Sequence, residues 1–187
     1  VSAPVGKTPE QWEGAGVRLR AFVRADETDL VAAFADAAIT TWNPGPPEGP
    51  TAFVAERNDW STGTHASWAV AAPAPGGEPG RLLGSVSLHK IDLTQGDAEI
   101  GYWVAPWARG RGVGAAAAAA AAAYGFARLG LHRVHLFHAV ENHASCAVAT
   151  RAGFLLEGTL RQSFRYPDGH RHDEHLHARL VTDPLSR

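Results

Sequence analysis

The chain has no methionine and a single cysteine, Cys146, among its 187 residues. One thiol excludes an internal disulfide framework and a zinc site built from cysteines alone. Neither sign of charge is in excess: 17 basic side chains face 19 acidic ones, a net charge of −2. No electrostatic footprint for DNA or RNA results. Long apolar runs are missing too. The longest small-apolar stretch, Val113 to Ala127, is too short and too alanine-rich to span a bilayer, and Arg residues flank it, so no membrane association is expected. With no signal-peptide pattern, the expected location is cytoplasmic, and the missing Met implies an initiator that was removed or trimmed. Two familiar phosphate loops are also lacking. No Lys stands where a P-loop requires one, and Gly110, Gly112 and Gly114 fall at every second position instead of as G-x-G-x-x-G.

What the chain does have is a dense stretch from Asp97 to Tyr124, DAEIGYWVAPWARGRGVGAAAAAAAAAY. Asp97 to Val104 alternates, with Ala98, Ile100, Tyr102 and Val104 on one face and Glu99, Gly101 and Trp103 on the other, which predicts a strand. Pro106 ends it. Nine alanines, Ala115 to Ala123, then predict a helix. Between the two lies Arg109-Gly110-Arg111-Gly112-Val113-Gly114. A helix's first turn carries N–H groups without partners and the positive end of the dipole. Glycines let an anion approach the backbone, and arginines add forked donors, so the junction points to phosphate. A tight turn that binds nothing is the competing reading.

The chain is long enough for one domain with a full core. Val1 to Gly16 shows no periodicity and reads as an arm. Val17 to Arg24 predicts a first strand, followed by a helix capped by Asp26 or Thr28 with Leu30, Ala33, Phe34 and Ala37 as its apolar stripe. Thr41 to Pro50 reads as a loop, Thr51 to Ser61 as a helix, and Ser67 to Ala72 as a strand. Pro73 to Gly80 is a turn region, and Leu82 to Ile91 a strand leading into the central one. Beyond the alanine helix, His132 to Val140 predicts a strand, and Asn142 caps a helix that Gly153 ends. Phe154 to Tyr166 and Arg171 to Val181 are two strands joined by Pro167-Asp168-Gly169. The order is mixed α/β.

Three pieces fall together in sequence. Arg109-x-x-Gly112-x-Gly114 matches R/Q-x-x-G-x-G/A; Asn142-His143-Ala144-Ser145 and Arg151-Ala152-Gly153-Phe154 follow; Glu99-Ile100-Gly101-Tyr102-Trp103 precedes. This set resembles the GNAT N-acetyltransferases, and within them the RimJ/RimL type of ribosomal-protein N-terminal acetyltransferases. The resemblance covers roughly Val17 to Val181. It implies a single domain over residues 17–182, with a mixed central sheet splayed open at its fourth strand and helices flanking it. It implies an enzyme that moves an acetyl group from acetyl-CoA, its co-substrate, directly to a primary amine. A protein N-terminal α-amine is the first acceptor to consider. A small amine or antibiotic, or a sensor that binds acyl-CoA without turnover, are the alternatives. A homodimer is compatible with it.

The resemblance also distributes roles. Glu99 is the implied base that deprotonates the amine, directly or through water, and Ser145 the implied acid for the departing thiolate. Many relatives use a Tyr as this acid, but no Tyr lies near Ser145 in the local sequence. Backbone groups of Trp103 and Val104 would pair with the pantetheine arm and polarise the thioester carbonyl. Arg109, Gly110, Arg111, Gly112, Val113, Gly114 and Ala115 would hold the cofactor phosphates, and Asn142 its arm. Trp42, at the head of the proline-rich loop, is a candidate wall of the acceptor cleft. Cys146, inside a helix pattern, makes a poor nucleophile. His170, His172, His175 and His177 invite a metal reading, and His175 and His177 share a strand face about 7 Å apart. Apart from Asp173 and Glu174 nothing in the local sequence completes a ligand set, so no metal is expected and a polar strand face is.

Overall fold

A computed structural model of the chain describes residues 4–43, 45, 48–74, 76 and 78–184. Its strands are β1 (Trp12–Gly14), β2 (Val17–Arg20), β3 (His65–Ala71), β4 (Leu82–Asp92), β5 (Asp97–Val104), β6 (Arg133–Ala139), β7 (Leu155–Arg165) and β8 (Arg171–Leu180). Its helices are α1 (Asp26–Phe34), α2 (Ala37–Thr40), α3 (Pro50–Asn58), α4 (Val113–Arg128) and α5 (His143–Arg151). The strands form one sheet in the order β1-β2-β3-β4-β5-β6-β8-β7. Every neighbouring pair is antiparallel except β5 and β6, which run parallel. The proline-rich loop and the later turn lie partly outside the described residues, at Pro44, Pro46 and Pro47 and at Pro75 and Gly77.

The alanine run forms α4 because alanine loses little entropy there and lets the helix lie close on the sheet. Ala117, Ala118, Ala120, Ala121 and Ala122 are buried against it. A Cβ on Gly125 would sit 3.0 Å from Leu131 Cδ1 and 3.2 Å from Leu88 Cδ1, so the helix touches β4 there without a side chain. Trp60 and Trp68 are fully buried and meet edge to face with centroids 4.9 Å apart, Tyr124 of α4 joining them. Burial of the Tyr124 phenol pushes its pKa up to about 12.

Several expectations change in detail. The arm at residues 1–16 contributes β1 to the sheet edge, where Trp12 packs on Tyr124. The first strand stops at Arg20, since Arg20 turns inward to grip Asp26 through two bonds of 2.7 and 2.9 Å. Asp26 therefore does not cap α1; its carboxylate also accepts from Val23 N. The helix expected through Ala37 breaks at Asp36, whose backbone is extended and whose side chain accepts from Ala38 N at 2.8 Å, starting α2. Among the described residues, no helix is long and apolar enough to cross a membrane.

Candidate active site

The site exists because two parallel strands separate. β5 and β6 are paired only at Asp97–Arg133, Ala98–Val134 and Glu99–His135. Beyond Glu99, β5 stays on β4 up to Val104, while β6 stays on β8 up to Ala139. A cavity of about 430 Å³ fills the opening, with Ile100, Gly101, Tyr102, Trp103 and Val104 on one wall and Phe137 and His138 on the other. That volume suits a bound small molecule. The departing strand leaves backbone groups without a ladder. Ala105 donates its N–H to Leu83 O, so by strand alternation Val104, one residue back, turns its N–H away from β4 and toward the cleft.

The glycine turn closes one end. Gly110 and Gly112 adopt φ of 74° and 76°, the left-handed region, and an added Cβ at either would meet nothing within 4 Å. Gly112 is the N-cap of α4, and the first intrahelical bond runs from Ala116 N to Gly112 O. The N–H groups of Val113, Gly114 and Ala115 are thus left without helix partners at the cavity wall. Gly114 differs from the other two. A Cβ there would lie 3.0 Å from Val148 Cγ2 and 3.2 Å from Val104 Cγ2, so this glycine permits close packing of α4 between α5 and β5. Arg109 lines the cavity and forms two bonds to Asp36, 3.1 and 3.0 Å. The Arg109 guanidinium holds the Asp36 carboxyl below its ordinary pKa.

Asn142 caps α5 by accepting from Ser145 N at 3.1 Å, which sets Ser145 in the first turn. Ser145 Oγ then meets Tyr102 Oη at 2.7 Å, and Tyr102 also donates to Ser145 O at 3.3 Å. Burial, partly opposed by the Ser145 hydrogen bond, pushes the Tyr102 pKa up to about 12. A phenol thus does stand beside Ser145. It was hidden in the sequence because it comes from a strand 43 positions away.

Trp42, Trp103, Val104, Arg109, Gly110, Gly112, Val113, Gly114, Ala115, Asn142 and Ser145 all line the cavity. Glu99 and Arg111 do not. The Glu99 carboxylate is 2.7 Å from Lys90 Nζ and 3.9 Å from His89 Nε2, at the point where β5 and β6 part. Trp42 stacks edge to face on Tyr166 at 5.5 Å, and both line the far end. Tyr166 Oη donates to the buried carboxylate of Glu174 at 2.9 Å. Besides Tyr102, the titratable lining residues that were not expected from the sequence are Arg151, His138 and Tyr166. Arg151 was visible as part of a motif but carried no assigned role.

The histidines divide. His172 binds Asp168 at 2.7 Å and Glu141 at 3.4 Å, and both carboxylates hold its pKa above the ordinary value. His175 and His177 remain neighbours, with ring centroids 6.1 Å apart. The expectation that no cysteine joins them fails in three dimensions. His138 of β6 and Cys146 of α5 converge on the pair, because His138 sits opposite His175 in the β6–β8 register.

Residues 17–155 match the acetyltransferase (GNAT) domain family, and the chain belongs to it. Over 94 residues it is 44% identical to YdaF of Bacillus subtilis (strain 168), provisionally named a ribosomal N-acetyltransferase, across 50% of this chain and 51% of that one. It is 34% identical over 91 residues to the spermidine N(1)-acetyltransferase of Vibrio cholerae serotype O1 (strain ATCC 39315 / El Tor Inaba N16961), across 46% and 53% of the two chains. The chain spans about half the length of the curated relatives it matches. The structure of Mycobacterium smegmatis RimJ in complex with CoA-disulfide shares the fold, with a TM-score of 0.79 and 24% identity over 92% of this chain and 88% of that one.

Proposed function

We propose that this chain, through residues 17–182, transfers an acetyl group from acetyl-CoA directly to a primary amine, with a protein N-terminal α-amine as the acceptor and the cytoplasm as the setting. The observation that supports it most is the cleft opened where β5 leaves β6, with a helix N-terminus at one end and an aromatic wall at the other. The unpaired N–H groups of Val113, Gly114 and Ala115, with Arg109, are suited to the phosphates of the co-substrate. The Val104 N–H is suited to polarise the thioester carbonyl. Trp42 and Tyr166 form the wall for the acceptor. Cys146 does not line the cavity, which favours direct transfer over an acyl-cysteine.

Burial holds the Tyr102 phenol at about 12, so its proton stays on oxygen until charge develops beside it. Tyr102 and Ser145 therefore act as hydrogen-bond donors to the departing sulfur and as a relay, while the proton that sulfur finally keeps comes from the attacking nitrogen. Glu99 is the base in this reading. Because its carboxylate is held by Lys90 and lies off the cavity wall, it works through water. An α-amine, with a pKa of about 7.7–8.0 against about 10.4 for Lys, needs only such a weak base.

The test is thiol release from acetyl-CoA with N-terminal peptides of ribosomal proteins beside lysine peptides, spermidine and aminoglycosides. Turnover confined to the α-amine peptides is the expected result. Turnover of spermidine alone would move the acceptor to the small-amine class, the direction in which the 34% identical relative points. Glu99→Gln is expected to lower kcat by about 10²-fold or more with CoA affinity unchanged. Full activity would shift the base to His138, whose imidazole lines the cavity.

A further inference from the structure

Behind the hydroxyl pair lies a second group of reactive side chains that the transfer reaction does not use as a set. His138, Cys146, His175 and His177 each offer a ligand atom, and the four atoms lie within 4.8 Å of one another. His138 and His177 are buried to 3% and 2% exposure, while Cys146 and His175 are partly open, which gives an ion a way in.

One of these rings is left unsatisfied: Nδ1 of His175 is buried and has no hydrogen-bond partner. His138 Nδ1 lies 2.8 Å from Ala139 O, a bond only an N–H can make, so a neutral His138 keeps its lone pair on Nε2. An imidazole anchored by one nitrogen to a backbone carbonyl and free at the other is the arrangement that metal-binding histidines adopt. Its Nε2 faces His177 Nε2 at 3.2 Å. Two nitrogens on a tetrahedral zinc, each at about 2.0–2.1 Å, stand roughly 3.3 Å apart. A single shared hydrogen also fits that spacing, but it leaves His175 and the thiol of Cys146 outside the arrangement.

We propose that His138, Cys146, His175 and His177 form a tetrahedral binding site for a zinc-class divalent cation, next to the catalytic cleft. Three imidazoles and one thiolate suit a borderline-soft ion and not magnesium or calcium. Cys146 binds as the thiolate, and its proton leaves to solvent. The site is assembled from β6, α5 and β8, three elements that meet only in the folded chain. Because Cys146 follows Ser145 in the first turn of α5, an ion there fixes the turn that presents Ser145 to Tyr102. The inference does not depend on which amine is acetylated.

The experiment uses the whole chain stripped of metal by a chelator. Zn²⁺ alone is titrated against a chromophoric competitor, and Co²⁺ is bound in parallel. The expected result is one ion per chain, a sulfur-to-cobalt charge-transfer band, and alkylation of the sole cysteine slowed about tenfold or more by Zn²⁺. His177→Gln should weaken Zn²⁺ by more than the roughly 10–100-fold that loss of an outer partner costs, while His170→Gln should not. The wild-type readings need no variant to fold. No cobalt–sulfur band, together with an alkylation rate indifferent to Zn²⁺, would overturn the proposal. So would a folded His177→Gln chain that binds Zn²⁺ as tightly as the wild type.

Discussion

The two walls of the cleft are built differently. The wall from β5 into α4 is made mainly of backbone: a strand edge without a partner, two left-handed glycines and a helix start with free N–H groups. The wall from β6, α5 and the residue that follows β7 is made of side chains, among them His138, Ser145 and Tyr166. A backbone wall offers the same donors to any cofactor arm, whatever residues carry it. A side-chain wall can set acceptor, chemistry and metal by substitution while the fold stays as it is. Tyr102 crosses between them, rooted in β5 and bonded to α5.

The sharpest way to test this division is to remove hydroxyls from the side-chain wall. Tyr102→Phe combined with Ser145→Ala should lower kcat by about 10²–10³-fold, the scale for loss of donors aimed at developing charge, and leave CoA affinity within about threefold. Steady-state kinetics and calorimetry separate the two effects. A large fall in affinity would place these hydroxyls in cofactor binding instead. The next effect breaks the backbone wall from within. Gly114→Val forces a side chain into Val148 and Val104, so unfolding by denaturant should show a loss of about 1–3 kcal/mol, and the helix start should shift from its place. The smallest effect lies at the acceptor end. The pKa of His172 is raised chiefly by Asp168 and also by Glu141, so its charged form contributes stability that is complete below about pH 6.5 and lost as pH rises through its raised pKa. Asp168→Asn should bring the His172 pKa, followed by NMR titration, back toward the ordinary value. An unchanged titration would assign the shift to Glu141.

The backbone wall was legible in the sequence because its signals are local. A strand, a proline, a glycine turn and an alanine run lie within 28 residues, and each constrains its own conformation. Even there, Gly114 was grouped with Gly110 and Gly112, since sequence shows a missing Cβ but not what it would touch. The side-chain wall was mostly illegible. Ser145 and its Asn142 cap were found because the cap spans only three residues. Tyr102, His138 and Cys146 were not assembled with their partners, because the splay and the β6–β8 register decide who meets whom. Alternation put Glu99 on the face opposite Tyr102, but alternation does not say which face borders the cleft. Asp36 ended a helix early by satisfying Ala38 N, a competition between cap and helix interior that periodicity alone does not resolve.

Hydrogen–deuterium exchange with and without CoA tests whether the backbone of β5 and α4 holds the co-substrate. CoA is expected to protect the amides of Val104 and of Val113 to Ala115, which lack protein partners at the cleft, and to leave β8 unchanged. Protection confined to β6 and β8, with the start of α4 exchanging as freely as before, would contradict it.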